Sequence, residues 1–140
     1  MEKFKLSVNE YKNILKSIQL QEISLKSLNA NKSEEFIDNK LELSYKEHAR
    51  HISDEKYIVF DYKFSLVAKS SVKEKAAIKI VVEFAIKYSN PENINIDPEF
   101  YEIFPNASLK YMVWPYFREI VQSIISRMNL PPLTLPAIMS

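Results

Sequence analysis

The stretch IVFDYKFSLVAK, residues 58–69, alternates apolar and polar side chains, and IKIVVEFAIKY, residues 78–88, repeats the pattern. Successive side chains of a β-strand point to opposite faces, so an alternation of period two predicts a strand with one buried face. A short polar segment, residues 70–75, separates the two stretches. We therefore predict an antiparallel pair of strands that share a buried face.

The second face of this predicted pair is not wholly polar. It carries a strip of small or branched apolar side chains, Val59, Val67, Val81 and Ala85. Contiguous apolar surface on a folded domain commonly marks an interaction site. We expect this strip to be an interface between copies of the chain.

Two weaker alternations precede the central pair. They predict a strand over residues 18–28, with a bulge at residues 21–22, and a second strand over residues 41–46. The polar segments 29–33 and 48–55 are expected to be connections. These strands complete a four-stranded antiparallel sheet.

The predicted helices lie at the two ends of the chain. Ser7 followed three residues later by Glu10 fits a capping box, which predicts a short helix over residues 8–17. Residues 93–105 are expected to be irregular. Asn106 is expected to cap a long helix that ends near residue 128 and is kinked near Pro115, because proline lacks an N–H and clashes with the preceding turn. The predicted fold class is α+β, in one domain over residues 1–140.

Composition excludes several functional classes. The 140 residues carry a formal net charge of +1 and contain neither cysteine nor glycine. A balanced charge disfavours nucleic acid as a partner. Without glycine the chain has no phosphate loop or dinucleotide fingerprint, and without cysteine it has no disulfide or thiolate site. No signal peptide or membrane-spanning run is evident, so we expect a cytoplasmic protein with no membrane partner.

Candidate catalytic and metal-binding residues are sparse. His48 and His51 are three residues apart and could share a metal on a helical turn, but no third ligand is evident. The acidic residues Glu34, Glu35 and Asp38 are expected to be solvated. Arg118 and Glu119 are expected to have a structural role in orienting a helix or an interface. We predict no enzyme activity, no metal and no cofactor.

The C-terminal third of the sequence carries a specific pattern. It contains Pro-Asn at residues 105–106, Trp-Pro-Tyr-Phe-Arg-Glu at residues 114–119, and Pro-Leu-Thr-Leu at residues 132–135. In this pattern and in its order of strands and helix, the chain resembles the SecB family of protein-export chaperones. Glu-Ile-Ser-Leu, residues 22–25, is a weaker match in the first strand.

The resemblance implies a function and an assembly. SecB-like proteins hold unfolded polypeptides without ATP and assemble as dimers of dimers, so we expect a holdase that forms a tetramer. The apolar tail, residues 129–140, is expected to be extended and to line or close a client groove. The residues expected to bind clients are Trp114, Tyr116, Phe117, Leu133, Leu135 and Ile138.

Departures from the family pattern narrow the expected partners. Residues 1–17 form a helical extension, the chain stops at Ser140 before the family's last helix and tail, and Lys26 stands where the family has an acid in its SecA-docking face. We therefore expect SecA binding to be weak or absent. Some short SecB-like proteins protect an antitoxin, which makes an antitoxin a candidate client.

Other functional classes remain open on sequence alone. One is a small-ligand-binding or enzymatic α+β domain, which would need a pocket between the sheet and the helix. Another is an adaptor for one dedicated partner. The mass of the protein in solution and its suppression of aggregation of unrelated unfolded proteins would separate these classes from a holdase.

Overall fold

The computed structural model describes residues 5–38 and 40–131. The main elements, in chain order, are α1 (Val8–Ser17), β1 (Gln19–Lys32), β2 (Leu41–Ser53), β3 (Tyr57–Ser70), β4 (Ala76–Ser89), α2 (Pro98–Phe104) and α3 (Lys110–Arg127). A 3-10 turn spans Glu34–Phe36, and a π-helical turn at Pro105–Leu109 joins α2 to α3. The α+β class with a short N-terminal and a long C-terminal helix is confirmed.

The four strands form one antiparallel sheet with the spatial order β1-β4-β3-β2. The central pair is confirmed, with Phe60 opposite Ile86 and Phe64 opposite Val82. Strands β1 and β2 are the two edges. Each pairs on one side only, so the other side of its backbone has no strand partner within the described part of the chain.

The core lies between one face of the sheet and the C-terminal helices. Residues four apart, from the end of the π-helical turn through α3, bury their side chains against the central strands, in the series Leu109, Val113, Phe117, Val121 and Ile125. The ring of Phe117 stacks on that of Phe64 with centroids 4.6 Å apart. Burying large side chains of this kind stabilises a fold by about 1.5–3 kcal/mol each. This packing fixes the helix over β3 and β4.

The N-terminal helix begins and ends as the sequence predicts. The Ser7 hydroxyl accepts a hydrogen bond from the backbone N–H of Glu10 at 3.1 Å, which satisfies one of the unpaired donors of the first turn. Ile14 and Ile18 are buried, and the Tyr11 ring lies 5.3 Å from that of Phe100. These contacts attach α1 to α2.

Both edge strands are longer than predicted. Residues 29–32 continue β1, and residues 48–53 continue β2, where polar connections were expected. The outer backbone edge of an edge strand contacts solvent, and both of its faces are partly exposed. Polar side chains therefore occur along its whole length and weaken the apolar–polar alternation. The predicted bulge at residues 21–22 is confirmed by the register shift between Leu20 and Glu22, and a second shift occurs between Leu25 and Ser27.

The C-terminal helical region starts earlier than predicted. Asp97 accepts a hydrogen bond from the Glu99 N–H at 2.9 Å and begins α2, with Pro98 at the first helical position, so residues 98–104 are not irregular. Asn106 does not cap a helix, because it lies inside the π-helical turn. The helix α3 continues through Pro115 without an interruption.

The predicted apolar tail falls almost wholly outside the described residues. Only residues 129–131 of it are described, and Asn129 has a positive φ of 59° just after α3. Within the described ranges, no helix is both long and apolar enough to cross a membrane.

Candidate functional site

Three exposed leucines lie along the edge strand β1. Leu20, Leu25 and Leu28 point to the same side of the sheet as α3, opposite the buried Tyr88, Phe84 and Val82 of β4. The helix covers the β4 residues but not their β1 neighbours, which remain 41–50% exposed. We call these three leucines and the neighbouring Tyr116 the β1 strip.

Tyr116 joins α3 to this strip. Its ring centroid lies 6.3 Å from that of Phe84, which is the register partner of Leu25. The Tyr116 side chain is 51% exposed, whereas Phe84 is buried. The β1 strip therefore combines the exposed leucines of the edge strand with the exposed ring of Tyr116 on the adjacent helix.

A second strip follows the opposite edge of the sheet. Leu43 and Tyr45 of β2 are exposed on the side that faces α3, and Tyr111 is exposed on the helix. The Tyr45 ring meets the buried Trp114 edge to face at 6.0 Å. Partial burial raises the pKa of Tyr45. We call Leu43, Tyr45 and Tyr111 the β2 strip.

The predicted client-binding residues are distributed differently from the strips. Trp114 and Phe117 lie in the core, with 2% and 0% of their surface exposed. Only Tyr116 of the three helical residues presents a broad surface to solvent. Leu133, Leu135 and Ile138 lie outside the described residues. Client contact by these six residues stays a prediction.

The leucines of the β1 strip were not among the predicted client-binding residues. Their strand was predicted, but two bulges shift its phase, so Leu20, Leu25 and Leu28 reach one face with spacings of five and three residues. Such spacing has no period of two. The polar residues of β1 indicate an edge strand, in which three leucines are more than expected. That excess of leucine is the signal that could have identified them.

The other face of the sheet carries the predicted self-association strip. Val59, Val67, Val81 and Ala85 are half-buried, and all four point away from α3. Charged side chains surround them. Whether this strip joins copies of the chain stays a prediction.

A cluster of four charges crosses that open face and involves every strand. Lys26 Nζ lies 2.9 Å from Asp61 Oδ2 and 3.3 Å from Glu83 Oε1. Arg50 contacts the same two carboxylates at 3.2 and 3.5 Å. The hydrogen bonds that the Lys26 ammonium donates to Asp61 and Glu83 hold the pKa of Lys26 above its ordinary value. The second bulge of β1 places Lys26 over these carboxylates.

The two histidines do not form a metal site. Because His48 and His51 are three apart on the strand β2, they point to opposite faces of the sheet. His51 stacks on Tyr101 with ring centroids 3.8 Å apart, and partial burial lowers its pKa. Among the residues that the structure describes, no group of three His, Asp or Glu side chains could hold a metal ion.

Arg118 is half-buried and Glu119 is exposed on α3. The structural role predicted for both residues is untested.

The described cavities lie at the periphery of the fold. The one beside β2, of about 420 Å³, is open to solvent and lined in part by Glu47, Tyr62 and Glu102. The Tyr62 hydroxyl donates to Glu47 Oε2 at 2.9 Å, and burial with this hydrogen bond raises the pKa of Tyr62. The buried side chains of α3 belong to the same core cluster as those of the central strands. This packing does not favour a ligand pocket between sheet and helix.

Comparison with solved structures identifies the architecture. Mycobacterium tuberculosis Rv1957, a SecB-like chaperone solved in complex with a ChAD peptide from the Rv1956 HigA1 antitoxin, superimposes with a TM-score of 0.76. The aligned region covers 92% of this chain and 95% of that chain, at 19% identity. The chain has the SecB-like fold. The predicted resemblance is thus confirmed for the fold.

Other comparisons add less to the SecB-like assignment. A protein of unknown function from Streptococcus agalactiae aligns over 85% of this chain and 96% of its own, with 9% identity and a TM-score of 0.48. No protein-family model matches the sequence, and no curated protein matches it. The SecB-like fold is therefore recognised through three-dimensional structure at low sequence identity.

Proposed function

We propose that this protein is a non-catalytic, ATP-independent chaperone that holds non-native polypeptide segments on its β1 and β2 strips. The observation that carries the proposal is the placement of exposed leucine and tyrosine side chains along both edges of a SecB-like sheet, beside a fully packed core. An exposed apolar edge is a liability in a protein without a partner for it.

The strips suit a client that makes several contacts at once. Burying one large apolar client side chain contributes about 1.5–3 kcal/mol. Ordering one residue of an unfolded chain costs about 1–2 kcal/mol. The free energy gained by a single contact is therefore nearly cancelled by the cost of ordering the client residue that makes it. Useful affinity therefore needs several contacts along one segment, and the three leucines of the β1 strip with Tyr116 supply four. Folded proteins rarely present such a segment.

The backbone of β1 adds a second mode of attachment. Its outer edge has no strand partner in the described structure, and β1 is 14 residues long. An extended peptide can pair with such an edge through main-chain hydrogen bonds, which are independent of its sequence. Alternate client side chains would then face the β1 strip.

An antitoxin segment is the proposed dedicated client. The support is the complex of the structurally similar Rv1957 chaperone with an antitoxin peptide. Delivery of export clients to SecA is less consistent with this chain. The SecB family has an acid at this position of its SecA-docking face, whereas here Lys26 forms ion pairs with Asp61 and Glu83.

We expect the protein to be a homotetramer in solution. Light scattering after size exclusion should give about four times the chain mass of 16.4 kDa. The strip Val59, Val67, Val81 and Ala85 is the predicted interface, so the mass of Val81→Lys tests that location. A wild-type monomer at micromolar concentration would contradict the prediction.

Replacing leucines of the β1 strip should abolish holding. In the double variant Leu25→Ser and Leu28→Ser, the protection of an unfolded model protein from aggregation should fall by about tenfold or more, because two apolar contacts of about 1.5–3 kcal/mol each are lost. Light scattering of chemically denatured citrate synthase measures this protection.

The matched control for that experiment is Val72→Ser, in the turn between β3 and β4. Val72 is 76% exposed but lies outside both strips. It should retain wild-type protection. Equal protection by the double variant and the wild type, at equal oligomer mass, would exclude the β1 strip as the client site.

A further inference from the structure

The open face of the sheet, on the side away from α3, is basic. The strands place seven cationic side chains there, Lys26, Lys46, Arg50, Lys63, Lys69, Lys79 and Lys87, against four carboxylates, Glu22, Glu42, Asp61 and Glu83. The whole chain has a formal net charge of only +1. Positive charge is therefore concentrated on this face.

Four of these lysines surround an apolar centre. By register, Lys79 lies opposite Val67, Lys46 lies opposite Ser65, and Ser65 lies opposite Val81. Lys63 and Lys69 lie two residues to either side of the Ser65–Val67 segment on β3. With strands about 4.8 Å apart and a rise of about 3.3 Å per residue, the four lysines enclose a patch roughly 10 by 20 Å. We call Lys46, Lys63, Lys69 and Lys79 the lysine ring.

The carboxylates of the open face do not neutralise the lysine ring. Lys63 lies opposite Glu83 in the ladder, and Lys69 lies opposite Glu42. The ion pairs of Glu83 are with Lys26 and Arg50, and Asp61 is held by the same two cations. Glu42 is exposed, and no ion pair joins it to Lys69 in the described part of the chain. Among the described residues, no carboxylate oxygen lies within ion-pairing distance of Nζ of any ring lysine. Lys46, Lys63, Lys69 and Lys79 are all exposed.

We propose that the lysine ring is a docking surface for an acidic polypeptide segment, distinct from the β1 and β2 strips. The half-buried Val67 and Val81 provide an apolar centre, and the ring provides a charged rim, which is the usual anatomy of a protein interface. The missing counter-charges would come from aspartate or glutamate residues of the partner. Charge complementarity of this kind gives selectivity and fast association.

Other occupants fit this surface less well. The same face was predicted to join copies of the chain, but a symmetric face-to-face contact would oppose one lysine ring to another, and like charges across an interface are unfavourable. A smaller oligomer in Val81→Lys would assign this face to self-association and would overturn the docking proposal. A nucleic acid needs a longer basic track than four lysines on a chain that is nearly neutral overall. A lipid surface would normally be met by large apolar side chains, whereas the centre here consists of valine and serine.

The test uses the full-length protein and a fluorescein-labelled (Glu-Val)5 peptide, followed by fluorescence anisotropy. Binding should be measurable, at least tenfold weaker for (Gln-Val)5, and several-fold weaker at 300 mM than at 50 mM salt, since salt screens exposed charges. The triple variant Lys46→Glu, Lys63→Glu and Lys79→Glu should bind (Glu-Val)5 at least tenfold more weakly than the wild type.

Three controls make the result decisive. The triple reversal Lys12→Glu, Lys16→Glu and Lys56→Glu has the same net charge but lies on α1 and the β2–β3 turn, and it should bind like the wild type. The triple glutamine variant at Lys46, Lys63 and Lys79 should also be weakened, and it replaces the reversal variant if that one fails to fold. The double serine variant of the β1 strip should keep its affinity for (Glu-Val)5.

Several outcomes would overturn the proposal. These are no binding of (Glu-Val)5 up to millimolar concentration, equal binding by the ring variants and the wild type, or equal binding of (Gln-Val)5. Tighter binding of a twelve-nucleotide oligothymidine, or of vesicles containing phosphatidylserine, would assign the ring to nucleic acid or membrane instead. Loss of peptide binding in the β1-strip variant alone would assign the peptide to the chaperone site.

Discussion

Phe117→Ala is expected to lower the free energy of unfolding by about 3–5 kcal/mol, enough to unfold many domains of this size. The Phe117 side chain is completely buried and contacts Phe64 and Trp114, with ring centroids 4.6 and 5.6 Å away. Its removal leaves a cavity between α3 and the central strands. Urea denaturation followed by circular dichroism, at a fixed protein concentration, measures the change.

Tyr116→Ala is the matched control for this prediction. It removes a neighbouring aromatic side chain from the same helix, but one that is 51% exposed. It should cost less than about 1 kcal/mol of stability while weakening client holding. If Phe117→Ala were as stable as Tyr116→Ala, the described packing of α3 on the sheet would be wrong.

Asp61→Asn is expected to destabilise the fold by about 1.5–3 kcal/mol, the range for hydrogen bonds to charged groups. Asp61 is 8% exposed and accepts from both Lys26 and Arg50, which come from the two edge strands. The amide would leave two cations facing Glu83 alone. Thermal and urea unfolding would measure this loss.

Glu42→Gln is the corresponding control, because it makes the same chemical change at an exposed carboxylate on the same face. It should alter stability by less than about 0.5 kcal/mol. Equal effects of the two substitutions would show that the charge cluster contributes nothing to the fold.

The charge cluster also changes the expectation for Lys26. By the resemblance to the SecB family, Lys26 is a reversed charge on the docking face for SecA. On that basis alone, Lys26→Glu would restore the acid at this position. In the structure, that glutamate would be a third carboxylate beside Asp61 and Glu83. We therefore expect Lys26→Glu to disturb the sheet, and SecA titrations with it require a parallel measurement of stability.

The sequence predicted those elements whose two faces differ most. β3 and β4 are central strands with one face fully covered, so their alternation is clean. The ends of β1 and β2 were missed because polar edge residues form backbone pairs with the neighbouring strand without burying their side chains. The helix α2 was missed because its seven residues are too few to show a period, although Asp97 and Pro98 are the usual start signal.

The candidate site was predicted only in part. The motif around Trp114 located α3 correctly, but a broad apolar stripe does not show which residues face the sheet. Packing selects Val113 and Phe117 for the core and leaves Tyr116 outside. The leucines of the β1 strip depend on two bulges, and their positions are fixed by pairing with β4 rather than by local sequence.

The strand order has a consequence for how this chain acquires its fold. The strands β2, β3 and β4 are consecutive and close through short turns, whereas β1 must find β4 across all of the chain from Ser33 to Lys75. Loop closure costs more entropy as the loop lengthens, so the three-stranded meander should form first and β1 last. During synthesis, β1 and its leucines therefore stay unpaired until β4 has been made. For that interval the nascent chain itself resembles the clients that the protein is proposed to hold.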